Sequence, residues 1–177
     1  MSYNGGVVAA MKGDGCVAIA ADRRLGIQGR TISTNFERVF EMGPKLFVGL
    51  PGLATDTITV SQRLKFHLNL YELQENRRIN PKTFATLLSG VLYEKRFGPY
   101  FIEPIVAGLD SKTNEPYISS MDLIGNVTEP DDFAVGGEFI QWMCIWLLRL
   151  TRKAIALHPA QLRDLVIKVH MIDSRNR

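Results

Sequence analysis

The feature that most constrains the fold is a pair of short apolar runs near the beginning of the chain. Residues 7–11 and 16–21 are rich in valine and alanine, and Lys-Gly-Asp-Gly at residues 12–15 separates them. Glycine and aspartate favour a tight hairpin turn, because they tolerate the backbone angles that such a turn requires. The sequence therefore predicts an antiparallel hairpin over residues 7–21.

Two consecutive helices are predicted in the middle of the chain. In the first, apolar residues recur at the spacing of one helix face, and Thr55 or Asp56 is expected to cap it. The second begins at Asn80, a capping residue type before a proline, and extends to about residue 97. The apolar positions of the first helix are Val60, Leu64, Leu68 and Tyr71.

Strands are predicted on both sides of these helices, and a third helix near the end of the chain. The nearly all-apolar residues 139–150 are typical of a helix that is buried on several sides. This order predicts an α+β protein in which sheets pack together and helices cover their outer faces. Since no linker or repeat interrupts it, residues 1–177 are expected to form one domain. The further predicted strands are residues 30–34, 37–42, 46–50, 102–109, 116–121, 132–135 and 165–172.

Composition and charge argue against several classes of partner. The net charge is +3, and no block of Lys and Arg could follow a phosphate backbone, so no nucleic acid is expected. The apolar run at 139–150 is well short of the roughly 20 residues that span a bilayer, so no membrane association is expected. The N-terminus lacks the pattern of a secretory signal, which favours the cytosol or nucleus. The sequon at Asn126 is therefore interpreted as a strand or turn.

The residue types that hold metals and cofactors do not cluster in this sequence. Cys16 and Cys144 lie far apart, without the spacing of a disulfide framework or a zinc site. The phosphate-binding glycine motifs and the metalloprotease motif are absent, so neither a metal nor a cofactor is predicted. His67, His158 and His170 stand alone in different segments and are interpreted as surface or packing residues.

Several segments resemble the β-type subunits of the proteasome core. Gly5-Gly6 before the hairpin, the Cys-Val-Ala-Ile-Ala-Ala-Asp-Arg-Arg sequence at 16–24 and the strand-to-helix junction at 47–56 are similar to that family. Residues 62–73, 92–100 and 106–110 are similar to its non-catalytic type-3 branch. The resemblance covers residues 3–137 and fades over 138–177, where a loop typical of the family is absent.

The resemblance implies a fold, a location and a set of partners. The fold is a four-layer αββα sandwich of the N-terminal-nucleophile hydrolase type, and the divergence after Gly137 predicts an incomplete C-terminal layer. The partners are other β subunits and the subunits of the α rings, which enclose the chamber for ATP- and ubiquitin-dependent degradation in the cytoplasm and nucleus. Phe139, Trp142 and their apolar neighbours either meet such a partner, promote aggregation or, as the sequence favours, form core.

The resemblance also implies which residues occupy the catalytic positions. Active family members use an N-terminal threonine, exposed by cleavage after a glycine, whose hydroxyl attacks the peptide carbonyl. Counting back from Asp22, which matches the family aspartate, the threonine position falls on Gly6. Arg38 stands where active members have lysine. These positions are interpreted as a vestigial site with no catalytic residue.

Alternatives to each of these interpretations can be stated. Asp22 and Arg38 form either a structural ion pair, which the sequence favours, or a remnant of catalytic machinery. Cys16 is either a substitute nucleophile or, as the sequence favours, a small buried residue within a strand. The chain as a whole is predicted to be a non-catalytic structural subunit. The alternatives are an active threonine-type peptidase and an assembly-defective variant that binds proteasome precursors.

Overall fold

A computed structural model describes residues 4–137 and 167–173 of the chain. This part contains eleven strands and two helices in the order strands, helices, strands. They are β1 Val7–Gly13, β2 Cys16–Asp22, β3 Leu25–Ile27, β4 Arg30–Ser33, β5 Val39–Gly43, β6 Leu46–Gly49, α1 Ala54–Glu75, α2 Pro81–Tyr93, β7 Ile105–Leu109, β8 Pro116–Met121, β9 Val127–Thr128, β10 Phe133–Gly137 and β11 Ile167–Asp173.

The strands form two main antiparallel sheets and one small ribbon. The first sheet has the order β10-β1-β2-β11, and the second has the order β5-β6-β7-β8-β9. The predicted hairpin is confirmed as β1 and β2, with Gly15 in the left-handed region at φ 63°. The ribbon pairs β3 with β4, and the sequence did not predict β3.

The two sheets pack face to face over a shared apolar core. β1 and β2 contribute alternate residues such as Val8 and Ile19, as expected of strands whose side chains alternate between faces. β7 is buried along its whole length because Ile105 and Ala107 face the first sheet while Val106 faces the helices. A strand buried on both faces appears in the sequence as a continuous apolar run.

Both helices cover the outer face of the second sheet. The predicted apolar face of α1 is confirmed, since three of its residues are buried and Tyr71 packs against the same core. α2 contributes Phe84 and Leu88 to it, and both are fully buried. The described residues thus form three layers, one of helices and two of sheet, which confirms the α+β class. The buried residues of the predicted α1 face are Val60, Leu64 and Leu68.

Some predicted helix and strand boundaries are wrong, each for a physical reason. Neither Thr55 nor Asp56 caps α1, because the Asp56 carboxylate accepts the backbone N–H of Phe101 at 2.9 Å. Asn80 precedes α2 as predicted but makes no side-chain capping bond. α2 ends at Tyr93, whereas the sequence predicted a helix to about residue 97. The strand predicted from residue 102 begins only at Ile105, because Pro104 has no backbone N–H to donate to a neighbouring strand.

The predictions for the last part of the chain are tested only in part. β11 confirms the strand predicted near the C-terminus, where it pairs with β2 at the edge of the first sheet. The predicted helix at 139–150 lies outside the described residues, as does its apolar patch. In the described part of the chain, no helix has the length and apolar character required to cross a membrane.

Candidate functional site

The hairpin brings the predicted site residues to one end of the first sheet. Val8 pairs with Ala21, so Asp22 lies opposite Val7, and Gly6 is the residue before Val7. The Asp22 carboxylate accepts the backbone N–H of Val7 at 2.9 Å through Oδ1. Its other oxygen, Oδ2, accepts the N–H of Arg24 at 3.2 Å. Backbone N–H groups therefore hold both oxygens of the Asp22 carboxylate.

Arg38 lies in the centre of this site and is 1% exposed. Its Nη1 donates to the Asp22 carbonyl at 3.2 Å and to Asp22 Oδ2 at 3.4 Å. Its Nη2 donates to the carbonyl oxygens of Gly5 at 3.2 Å and Arg24 at 2.6 Å. The planar guanidinium thus binds several acceptors at once, which a lysine ammonium could not do in the same geometry.

The electrostatic environment of Arg38 contains opposing effects. Burial lowers the pKa of its guanidinium, the charge of Asp22 raises it, and the nearby Arg24 lowers it again. An arginine starts from so high a pKa that it stays protonated. The group is therefore a fixed cation paired with Asp22, which matches the predicted structural ion pair. The ring of Phe36 lies 5.0 Å from the Arg38 Cζ and adds a cation–π contact.

Gly6 leaves the space that Arg38 fills. Its φ of 117° is a backbone conformation that residues with a side chain rarely adopt. A Cβ at this position would overlap Arg38 Nε and lie 2.6 Å from Arg38 Cζ. A threonine side chain at position 6 and the observed position of Arg38 are therefore sterically incompatible.

Asn4 links the segment before Gly6 to two other parts of the fold. Its side-chain oxygen accepts the N–H of Ala54, the first residue of α1, at 3.0 Å. Its amide nitrogen donates to the carbonyl of Gly26 in β3 at 3.3 Å. Asn4 thus supplies the capping acceptor that α1 lacks locally. The sequence pattern does not predict this role, because the two partners lie far from Asn4 along the chain.

The other candidate residues do not join this network. Cys16 lies at the start of β2 as predicted, but it is partly exposed, so the interpretation that it is buried is wrong. The first residue of a strand lies at the sheet end, where less of the structure covers it. Cys144 and His158 lie outside the described residues.

Two histidines lie on different elements of the fold, one on a helix and the other on a strand. His67, on α1, contacts the ring of Phe66 edge-on. His170, on β11, lies 4.8 Å from the ring of Phe47. Within residues 4–137 and 167–173, no group of three or more His, Cys, Asp and Glu side chains could hold a metal ion.

Comparison with known proteins identifies the family. The sequence matches the proteasome subunit family over residues 2–144, and the chain belongs to that family. It is 58% identical over 147 residues to proteasome subunit beta type-3 of Drosophila melanogaster, covering 81% of this chain and 72% of the relative. It is 55% identical to the Oryza sativa protein of that name over 76% of this chain, and 51% to the Saccharomyces cerevisiae protein over 77%.

These comparisons confirm the family resemblance drawn from the sequence motifs. The chain spans 66% of the length of both the rice and the yeast relative, so it matches about two thirds of those proteins. Relatives named as type-3 β subunits support a structural subunit of the β ring of the proteasome core particle. Such subunits are components of the proteasome.

Proposed function

We propose that this chain is a non-catalytic subunit of the β ring, in which Arg38 occupies the space of the missing nucleophile. The observation that carries the proposal is the steric overlap between Arg38 and any side chain at position 6. Threonine-type catalysis needs a hydroxyl at that position. Gly6, Asp22 and Arg38 are then a vestigial site in which the ion pair has a structural role.

The backbone of the site supports the same proposal. In active members, the free α-amino group of the threonine accepts the proton of its hydroxyl. Here the nitrogen of Gly6 is part of a peptide bond, and Arg38 binds the carbonyl oxygen of Gly5 in that bond. A peptide group whose oxygen is held inside the fold contributes neither a nucleophile nor a base. We infer that the Gly5–Gly6 bond stays intact in the assembled subunit.

The fold is consistent with the sandwich of the family, as a single domain over residues 1–177. Val8 and Ala10 face the second sheet, so Val7 and Ala9 face the opposite side of the first sheet. Both are nevertheless only 4% exposed. Their burial supports a further layer over this face, which would make the four-layer αββα arrangement.

The proposed setting is the one that the family resemblance implies. The partners would be neighbouring β subunits and the α ring, around the chamber in which ATP- and ubiquitin-dependent degradation takes place. The proposed compartments are the cytoplasm and the nucleus. In this setting the chain contributes the wall of the chamber, and the peptide hydrolysis is carried out by other subunits.

The proposal can be tested on core particles purified from cells that express the tagged chain. We expect the chain to co-sediment with the intact particle, to keep Gly5 and Gly6 by intact-mass measurement, and to remain unlabelled by a threonine-directed covalent inhibitor. Cleavage that creates a new Thr, Ser or Cys N-terminus, together with labelling, would show an active peptidase. A chain found only on precursor complexes would show an assembly-defective variant.

A pair of variants separates the role of Arg38 from that of Gly6. In Gly6→Thr the new side chain meets the Arg38 guanidinium, so we expect neither cleavage after Gly5 nor inhibitor labelling. The double variant Gly6→Thr with Arg38→Lys removes the planar group and restores the residue type of active members. We expect labelling only in the double variant. Equal labelling of the single and double variants would contradict a blocking role for Arg38.

A further inference from the structure

The turn that follows α2 presents two aromatic rings to solvent. We name residues 93–97 the aromatic–basic turn. Phe97 is 97% exposed and Tyr93 is 57% exposed. The guanidinium of Arg96 lies between them, with its Cζ 5.2 Å from the Phe97 ring and 5.8 Å from the Tyr93 ring. Cation–π contacts of this kind hold the three side chains as one group.

Backbone hydrogen bonds fix this turn on the core. The N–H of Lys95 donates to the carbonyl of Leu92 at 3.0 Å, and Leu92 is a fully buried residue of the last turn of α2. The N–H of Arg96 donates to the carbonyl of Tyr93 at 3.0 Å, and that of Gly98 to Lys95 at 2.9 Å. Since the backbone of the turn is already ordered, this chain would lose little conformational entropy when a partner binds here.

The charges of the turn are unbalanced. Glu94 forms an ion pair with Arg63 of α1, which also donates to the hydroxyl of Tyr100 at 3.4 Å. No ion pair to Lys95 or Arg96 is found among residues 4–137 and 167–173. Within the described part of the chain, the two positive charges that precede the exposed ring therefore have no carboxylate in an ion pair with them. A binding partner with acidic residues would supply that partner.

Tyrosine, phenylalanine and arginine in an ordered, exposed group are the residue types that contribute most to protein interfaces. We propose that the aromatic–basic turn is a docking site, in which Phe97 enters an apolar pocket of an adjacent proteasome subunit and acidic residues at its rim pair with Lys95 and Arg96. This proposal rests on the proposed function, because it needs the chain to be assembled. A phosphate backbone is less suited, since two neighbouring cations make a small electrostatic footprint.

Site-specific photocrosslinking tests the identity of the partner. The full chain is expressed with p-benzoylphenylalanine in place of Phe97, and with the same residue at Phe133 as a control ring that is 41% exposed. Core particles are purified and irradiated. We expect position 97 to crosslink to one neighbouring subunit, in a peptide that contains Asp or Glu. No crosslink in particles that contain the chain, a peptide without acidic residues, or a crosslink to nucleic acid would each overturn the proposal.

Charge reversal tests the electrostatic part. The double variant Lys95→Glu with Arg96→Glu is expected to enter core particles about tenfold less than the unchanged chain when the two compete in one cell. Lys112→Glu reverses an exposed lysine in the turn between β7 and β8 and is expected to change incorporation by less than about twofold. Equal incorporation of the double variant and the control would refute the proposal.

The two proposals fail in different ways. If the unchanged chain is missing from purified particles, the proposed ring function fails. If the unchanged chain is present and the reversed variant competes equally, only the docking site fails. Thermal unfolding of each isolated chain shows whether a variant is excluded for lack of folding, and Phe97→Leu, which keeps apolar bulk, should lose less incorporation than Phe97→Ala.

Discussion

Arg38 and Arg96 each lie over a phenylalanine ring, but in opposite environments. The Arg38 Cζ is 5.0 Å from the ring of Phe36, and the Arg96 Cζ is 5.2 Å from the ring of Phe97. Arg38 is buried and donates to three carbonyl oxygens and to the carboxylate of Asp22, whereas Arg96 is exposed. The first arginine therefore stabilises the fold of one chain. The second is available to a neighbour.

The largest effect is expected when Arg38 is replaced. Arg38→Met keeps much of the volume but removes the cation beside Asp22 and the side-chain donor to three carbonyl oxygens. We expect the free energy of unfolding to fall by about 3–5 kcal/mol, because several hydrogen bonds from a buried charged donor are lost at about 1–3 kcal/mol each. Arg96→Met, the matched control, should change it by less than about 0.5 kcal/mol. Chemical denaturation of both full-length variants measures the difference, and equal losses would remove the contrast between the two arginines.

A smaller loss is expected at Gly6. Gly6→Ala adds a Cβ that overlaps Arg38 Nε at a positive φ, so we expect a loss of about 2–3 kcal/mol. Gly90→Ala is the control, because a Cβ there meets nothing within 4 Å. In the interior of α2 it should stabilise the protein by about 0.5–1 kcal/mol. If both variants show the same change on denaturation, Arg38 does not restrict position 6.

Asn4 gives an intermediate effect. Asn4→Ala removes the acceptor at the first turn of α1 and the bond to Gly26, so we expect a loss of about 1 kcal/mol. Asn69→Ala replaces an exposed asparagine within the same helix and should be neutral or slightly stabilising. Urea denaturation compares the two. A loss at Asn69 as large as that at Asn4 would show that Asn4 is not a cap.

Tyr117 gives an effect that depends on pH. Burial and the hydrogen bond to Glu129 raise the pKa of its hydroxyl from 10 to about 12. Because the pKa is raised, the contribution of the protonated Tyr117 hydroxyl to stability is complete below pH 10 and is lost as the pH rises through 12. The stability of the unchanged chain relative to Tyr117→Phe should therefore fall as the pH is raised from 10 to 12, because only the unchanged chain has a hydroxyl to titrate. A spectroscopic titration of Tyr117 near pH 10 would contradict the shift.

The smallest effect on stability is expected at Phe97. Phe97→Ala removes a ring that is 97% exposed, so the isolated chain should change by less than about 0.5 kcal/mol in its free energy of unfolding. Incorporation into core particles should nevertheless fall. A large loss of stability on denaturation would show that the ring supports the fold of its own chain.

The periodic parts of the fold could be predicted from the sequence, and the long-range contacts could not. The composition of residues 7–21 predicts a hairpin, and the spacing from Val60 to Tyr71 predicts a helix face. Both patterns are local in sequence. Asn4 caps a helix that begins at Ala54, a contact that no local pattern encodes. The wrong capping prediction at Asp56 has the same cause, since its true partner is the N–H of Phe101.

The sequence predicted which residues form the candidate site, but it did not predict how their side chains are arranged. The family motif placed Gly6, Asp22 and Arg38 together, and the fold does so too. The position of the guanidinium against Gly6 depends on how a long, flexible side chain packs, which sequence spacing does not determine. The exposure of Phe97 was likewise hidden, because a helix predicted to reach residue 97 ends at Tyr93 instead.

The edges of the first sheet have a consequence for folding. β1 and β2 are neighbours in sequence, but β10 must return to pair with β1, and β11 near the other end of the chain must pair with β2. Asp22 pairs with Ile167, which lies far from it along the chain. Pairings between such distant residues raise the contact order, which slows folding and leaves strand edges open on the way. The free edge of β2 is therefore exposed to aggregation until β11 has paired with it.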